Sequence, residues 1–92
     1  MIKYSTKANE GDIVFFLWGY LDHIFEGVCI ARRDLDFIEV RKEYEKETGK
    51  RMVLIDPRSK MHFFNWLEDK KYVSFYREHR AKAVNLEDIQ FG

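Results

Sequence analysis

The sequence predicts an α+β fold, in which a small bent antiparallel sheet or a partly open β-barrel packs against one well-defined helix and one short helix. Three observations predict it: apolar runs suited to strands at 13–18 and 24–32, a capped helical segment at 37–48, and an aromatic, β-branched run at 72–76. The chain has 92 residues, 46% of them apolar, which suffices for a single domain around one core.

The first predicted element is a β-hairpin in the N-terminal third. Gly11 predicts a turn, residues 13–18 a strand that is covered on both sides, and residues 24–32 the returning strand. A helix over the same segment is the alternative, because its apolar residues also recur at helical spacing. Gly19 in the middle of the segment, and apolar residues all around the first two turns, favour the hairpin.

The second predicted element is a helix over 37–48. Asp36 and Glu39 form a capping pair at its start, and Gly49 follows its last turn. Apolar residues recur at helical spacing along one side, and charges of both signs occupy the other. The predicted packing face consists of Phe37, Val40 and Tyr44.

A short strand and a short helix are predicted next. The apolar run 51–55, closed by Asp56 and Pro57, predicts a strand that ends in a turn. Ser59 is the predicted N-cap of a helix over about 60–69.

The C-terminal third predicts a second hairpin, in which residues 72–76 pair with residues 81–86. The last residues are expected to wrap back onto the body, with Ile89 and Phe91 buried.

The single cysteine, Cys29, excludes an intramolecular disulfide, and the apolar run around it predicts a buried thiol. The N-terminus lacks the pattern of a signal peptide, and no apolar run approaches the roughly 20 residues of a membrane span. We therefore expect a cytoplasmic protein with no membrane contact. No residue pattern indicates catalytic residues, a metal site or a cofactor, so none is predicted.

The Gly-Asp pair at 11–12 before an apolar strand, followed by Gly27 and a second apolar strand, resembles the opening hairpin of PUA-like domains of the EVE and ASCH type. The same pattern also resembles the start of SH3-like barrels. The resemblance covers about a quarter of the chain and carries over turn residues only. It implies a partly open barrel with an inserted helix and a tendency to bind nucleic acid.

The formal net charge is zero, but the charges are unevenly distributed. Residues 1–40 have a net charge of −3 and residues 41–92 of +3, and within 49–82 nine Lys and Arg face four Asp and Glu. The same stretch is rich in aromatic residues. Cations that neutralise phosphates, interleaved with rings that stack on bases, are typical of proteins that bind single-stranded nucleic acid.

The sequence therefore predicts a non-enzymatic binding module that contacts nucleic acid, with RNA favoured over DNA. The predicted contact residues are Lys50, Arg51, Arg58, Lys60, Lys70, Lys71, Tyr76, Arg77, His79, Arg80 and Lys82. The alternative is a protein-interaction or inhibitor domain that uses exposed aromatic residues around Trp66, and a small nuclease ranks third. The uneven charge also leaves open a homodimer in which the acidic half of one copy faces the basic half of the other.

Overall fold

Two small antiparallel sheets and three helices make up the computed structural model of this chain, which describes residues 4–18, 24–77 and 82–90. The elements in chain order are β1 (Lys7–Ala8), β2 (Ile13–Trp18), β3 (Ile24–Ala31), β4 (Leu35–Asp36), α1 (Phe37–Thr48), α2 (Pro57–Asp69), β5 (Val73–Phe75) and α3 (Leu86–Ile89). One sheet pairs β1 with β4, and the other has the order β2-β3-β5. Neither sheet closes within the described residues, and the predicted α+β fold is confirmed.

The N-terminal third is a β-hairpin, as predicted, and not a helix. β2 and β3 pair antiparallel from Ile13 opposite Ile30 to Trp18 opposite Ile24. Exposure alternates along β2, so that Val14 and Phe16 pack against the core and their neighbours face outward. The prediction that this strand is covered on both sides is therefore wrong, because the helices pack on only one face of the sheet and leave Ile13, Phe15 and Leu17 exposed. Gly11 precedes the hairpin with φ of 90°, a backbone conformation that favours glycine. The predicted reversal at residues 19–22 lies outside the described residues.

Helix α1 has the bounds and the caps that the sequence predicts. The Asp36 carboxylate accepts a hydrogen bond from the Ile38 backbone N–H at 3.0 Å. Gly49 has φ of 67° and donates its N–H to the Glu45 carbonyl at 2.9 Å, which ends the helix. The predicted packing face is confirmed, because Val40 and Tyr44 are buried and Phe37 packs against the core.

The strand predicted at 51–55 is wrong. These residues form a loop with a turn in which the Asp56 N–H donates to the Val53 carbonyl at 3.1 Å. Helix α2 also begins earlier than predicted, because Asp56 caps it by accepting from the Arg58 N–H at 2.9 Å and Pro57 occupies its first turn. Ser59 is therefore not the cap. Its hydroxyl accepts from the Val53 N–H at 2.7 Å and holds the loop onto the helix.

The C-terminal hairpin is also wrong, although its first strand exists. β5 pairs with β3, with Phe75 opposite Cys29 and Val73 opposite Ala31. Residues 82–85 form no strand, and Ile89 is exposed, whereas Phe91 lies outside the described residues. β3 offers a strand edge over the apolar core, and pairing there buries both Val73 and Phe75.

The core lies between the inner face of the three-stranded sheet and the two long helices. Cys29, as predicted, is fully buried there together with Tyr44, Leu67 and Val73. Phe64 of α2 joins helix and sheet, since its ring centroid lies 5.2 Å from that of Phe16 and 5.1 Å from that of Phe75.

Candidate nucleic-acid interface

The predicted contact residues do not converge on one face. Lys50 and Arg51 lie in the loop before α2, and Arg58 in its first turn, whereas Lys70 and Lys71 follow its last turn. A helix of 13 residues separates the two groups by about 20 Å. Tyr76 follows β5, Lys82 belongs to the exposed C-terminal segment, and His79 and Arg80 lie outside the described residues.

Lys60 is buried and is not available as a phosphate contact. Only 9% of the residue is exposed, its ammonium lies 2.5 Å from the Glu26 carboxylate, and it also faces the ring of Trp18 at 5.2 Å. A bulge between Phe16 and Leu17 leaves Glu26 without an opposite residue and aims it at α2, where Trp18 also donates to it. The Lys60 ammonium, followed by the Trp18 indole, lowers the pKa of Glu26.

Two further predicted cations are held by carboxylates. The ammonium of Lys70 lies 2.6 Å from Glu47, and the guanidinium of Arg77 lies 2.7 Å from Glu68. The Lys70–Glu47 pair raises the pKa of Lys70 and lowers that of Glu47, with burial opposing both shifts. Both cations would have to give up an ion pair before neutralising a phosphate.

Trp66, predicted as an exposed anchor for a protein partner, is buried instead. It is 8% exposed and packs edge-on against Tyr44 at 5.3 Å and Tyr72 at 5.8 Å. The buried stripe of α2 runs from Lys60 through Phe63 to Trp66 and Leu67, so the indole belongs to the core side of the helix. Trp66 is therefore not available as an exposed anchor.

Two turns meet where β3 and α2 end. The backbone N–H of Arg32 donates to the Tyr72 carbonyl at 2.8 Å, and the guanidinium of Arg33 lies 5.0 Å from the centre of the Tyr72 ring. Arg32 and Lys71 line a hollow of about 380 Å³ beside them. Its other lining residues are Glu68, Asp69, Val73 and Ser74.

We call the three exposed cations at these turns, Arg32, Arg33 and Lys71, the basic turn surface. Within the described part of the chain, none of the three has a carboxylate within ion-pair distance. Asp69 is the one exposed acid of the hollow and likewise has no ion pair among the described residues. The basic turn surface therefore presents three cations that no ion pair occupies among the described residues.

The neighbouring acids are already engaged. Both oxygens of Glu43 accept from the Tyr72 hydroxyl at 2.8 Å, which is the first cause of the raised pKa of Tyr72. Asp34 accepts from the Glu10 backbone N–H at 2.9 Å. Glu47 and Glu68 are neutralised by Lys70 and Arg77, whereas Glu43 and Asp34 accept only from neutral donors and keep their negative charge near the basic turn surface.

Lys71 adopts a backbone conformation that normally selects glycine. Its φ is 62°, its N–H donates to the Glu68 carbonyl at 2.9 Å, and the Tyr72 N–H donates to the Leu67 carbonyl at 3.1 Å. This is the Schellman arrangement that ends many helices, with lysine at the glycine position. A side chain there costs about 1 kcal/mol of strain, so its presence suggests a use for the ammonium group.

Sequence reasoning missed Arg32 and Arg33, because both fall in the half of the chain with a net negative charge. An available signal was the position of this Arg-Arg pair directly after an apolar strand, where a turn exposes both side chains.

Comparisons of the chain with protein-family models, with curated proteins and with solved structures find no match. The resemblance to PUA-like and SH3-like barrels therefore stays a prediction. Among the residues that the structure describes, no helix is both long and apolar enough to span a bilayer.

Proposed function

We propose that this protein is a non-enzymatic binding module that contacts single-stranded RNA through the basic turn surface. The observation that supports this most is the set of three exposed cations at two adjoining turns, all without a carboxylate partner among the described residues. Cations in that state neutralise phosphates without first breaking an ion pair, and counterion release then drives binding.

The hollow beside the turns suits one sugar-phosphate unit. Its volume of about 380 Å³ falls in the range of small-ligand sites, and Arg32 and Lys71 supply the positive charge of its lining, beside Asp69 and the Glu68 carboxylate that is paired with Arg77. Arg33, held over the Tyr72 ring, presents a guanidinium plane on which an unpaired base can stack. Such contacts favour unpaired strands, whose bases and phosphates are both accessible.

Replacing both arginines of the basic turn surface, as Arg32→Ala with Arg33→Ala, should weaken RNA binding about 25-fold at 0.1 M salt, because the affinity for a single strand falls about fivefold for each phosphate that is no longer neutralised. The measurement is a fluorescence-anisotropy titration of a short single-stranded oligoribonucleotide between 50 and 200 mM salt. The slope of log affinity against log salt should be about −2 for the wild-type protein and about −0.7 for the double variant.

Arg58→Ala is the matched control, because Arg58 is an exposed cation at the other end of α2 with no ion pair in the described ranges. Its affinity should stay within twofold of wild type. Equal losses in the control and in the double variant would show diffuse attraction and reject a localised site, as would wild-type affinity in the double variant.

Lys71→Gly should change stability and binding in opposite directions. Glycine relieves the positive φ and should raise the free energy of unfolding by about 1 kcal/mol, whereas loss of the ammonium should weaken RNA binding about fivefold. Urea denaturation and the same titration measure the two effects. The Lys71→Ala variant should lose the same affinity without gaining stability. If the Lys71→Gly variant binds RNA as tightly as wild type, Lys71 does not belong to the binding site.

A further inference from the structure

The outer face of the β2-β3-β5 sheet, which points away from the helices, is apolar. Residues opposite each other in an antiparallel ladder share a face, and two rows cross this one. The first consists of Ile13, Ile30 and Ser74, and the second of Phe15, Val28 and Tyr76, whose N–H donates to the Val28 carbonyl. Leu17 continues the face along β2.

This face remains open to solvent along β2. Ile13 is 59% exposed, Phe15 41% and Leu17 36%. Antiparallel sheets with one solvated face usually alternate apolar and polar residues, whereas these two rows contain no charged side chain. β2 is also an edge strand of its sheet within the described residues, and its six residues include no charge and no proline to deter pairing. We therefore take this apolar face as a candidate interaction surface.

The C-terminal segment, residues 82–90, carries exposed aliphatic side chains that do not pack on the body. Every one of these residues is exposed, including Val84 at 67%, Leu86 at 66% and Ile89 at 49%. The four-residue helix α3 places Leu86 and Ile89 on one side, three positions apart. Isolated helices of fewer than about 12 residues are marginal in water, so a helix of this length needs a surface to rest on.

The dimensions of the outer sheet face and of the C-terminal segment fit an interface in which each surface covers the other between two molecules. β2 is about 20 Å long and three strands span about 14 Å, which gives a flat area of about 280 Å². A standard interface buries about 800 Å² from each partner, so two sheet faces alone are too small. With α3 helical and its other residues extended, the segment 82–90 spans about 20 Å, which still exceeds the width of three strands.

We propose that a second copy of this chain covers the outer sheet face, with the C-terminal segment of each copy lying across the sheet of the other. The interface is isologous, so the same surfaces serve both copies. A formal net charge of zero imposes no repulsion between copies. The Cα radius of gyration is 16.0 Å, against about 12 Å for a compact chain of this length, in keeping with a segment that extends from its own body.

Sedimentation equilibrium over a range of protein concentrations tests the proposal. The wild-type protein should be a dimer, and Phe15→Lys, which places a charge on the sheet face, should raise the dimer dissociation constant at least about 30-fold. Leu86→Ser with Ile89→Ser should have a similar effect, and it cannot unfold a body on which the segment does not pack. Ile38→Lys is the matched control, because Ile38 is 46% exposed on α1, and it should leave the dimer unchanged.

A wild-type protein that stays monomeric at every concentration would overturn the proposal. So would a dimer that persists in both the sheet-face variant and the C-terminal variant, since its interface would then lie elsewhere. RNA binding by the basic turn surface is measured separately and is unaffected by either outcome.

Discussion

Leu67→Ala should lower the free energy of unfolding by about 3 kcal/mol. Leu67 has no exposed surface and lies on the core side of α2, in the cluster that joins this helix to Cys29, Val73 and Phe75 of the sheet. Truncation there loses the transfer free energy of three carbons and leaves a cavity, because both the helix and the sheet are held in place by other contacts. No other single aliphatic truncation in the described core is expected to cost more.

Urea denaturation followed by circular dichroism measures this change, and Leu54→Ala is the control. Leu54 is 47% exposed in the loop before α2, so its truncation should change stability by less than about 0.5 kcal/mol. If the two variants unfold at the same midpoint, α2 does not pack on the sheet through Leu67.

Cys29 should react with iodoacetamide at least about 1000 times more slowly in the native protein than an exposed thiol does. Burial, with a smaller contribution from the charge of Glu68, raises its pKa from 9.0 to about 12. The thiolate is the reacting form, and at pH 8 a shift of this size reduces its population about 1000-fold. Full burial of the sulfur also denies the reagent access, so labelling should proceed through unfolding.

Mass spectrometry of timed labelling reactions gives the rate, in buffer and in denaturing urea. The rate should rise to that of a free thiol once the protein unfolds, and Leu67→Ala should speed native-state labelling in proportion to its loss of stability. Labelling at the free-thiol rate under native conditions would place Cys29 at the surface and contradict the pairing of β3 with β5.

The elements that could be predicted from the sequence depend on short-range signals. The caps of α1 lie within 14 residues, from Asp36 to Gly49, and each acts on the helix beside it. The N-terminal hairpin is indicated by the turn residue Gly11 before the apolar run 13–18 and by Gly19, which disfavours a helix there. Because these causes are local, the sequence alone contains them.

The errors arose where the choice of partner is non-local. Residues 51–55 have the composition of a strand, but they pair with no strand among the described residues, and the Asp56 cap commits the following residues to α2. The sequence predicts that residues 72–76 pair with residues 81–86. In the structure, β5 pairs instead with β3, more than 40 positions earlier in the chain, because that register buries Val73 and Phe75. The strand propensity of a segment does not determine which neighbouring strand it pairs with.

The candidate site was likewise only partly predictable from the sequence. Charge counting located a basic stretch, but pairing through space decided which cations stay available. Lys60 is neutralised by Glu26, 34 positions earlier, and Lys71 lies beside Arg32, 39 positions earlier. Neither of these two contacts is indicated by a periodic pattern in the sequence.

By itself, the sequence determined the α+β class, the first hairpin and helix α1, because turn residues, helix caps and apolar runs act over a few residues. The tertiary structure alone decided that Trp66 is core, that Lys60 is buried against Glu26, and that the outer sheet face along β2 is open. The physical reason is that exposure and charge pairing depend on distances between segments, which are set only when the helices pack on one face of the sheet.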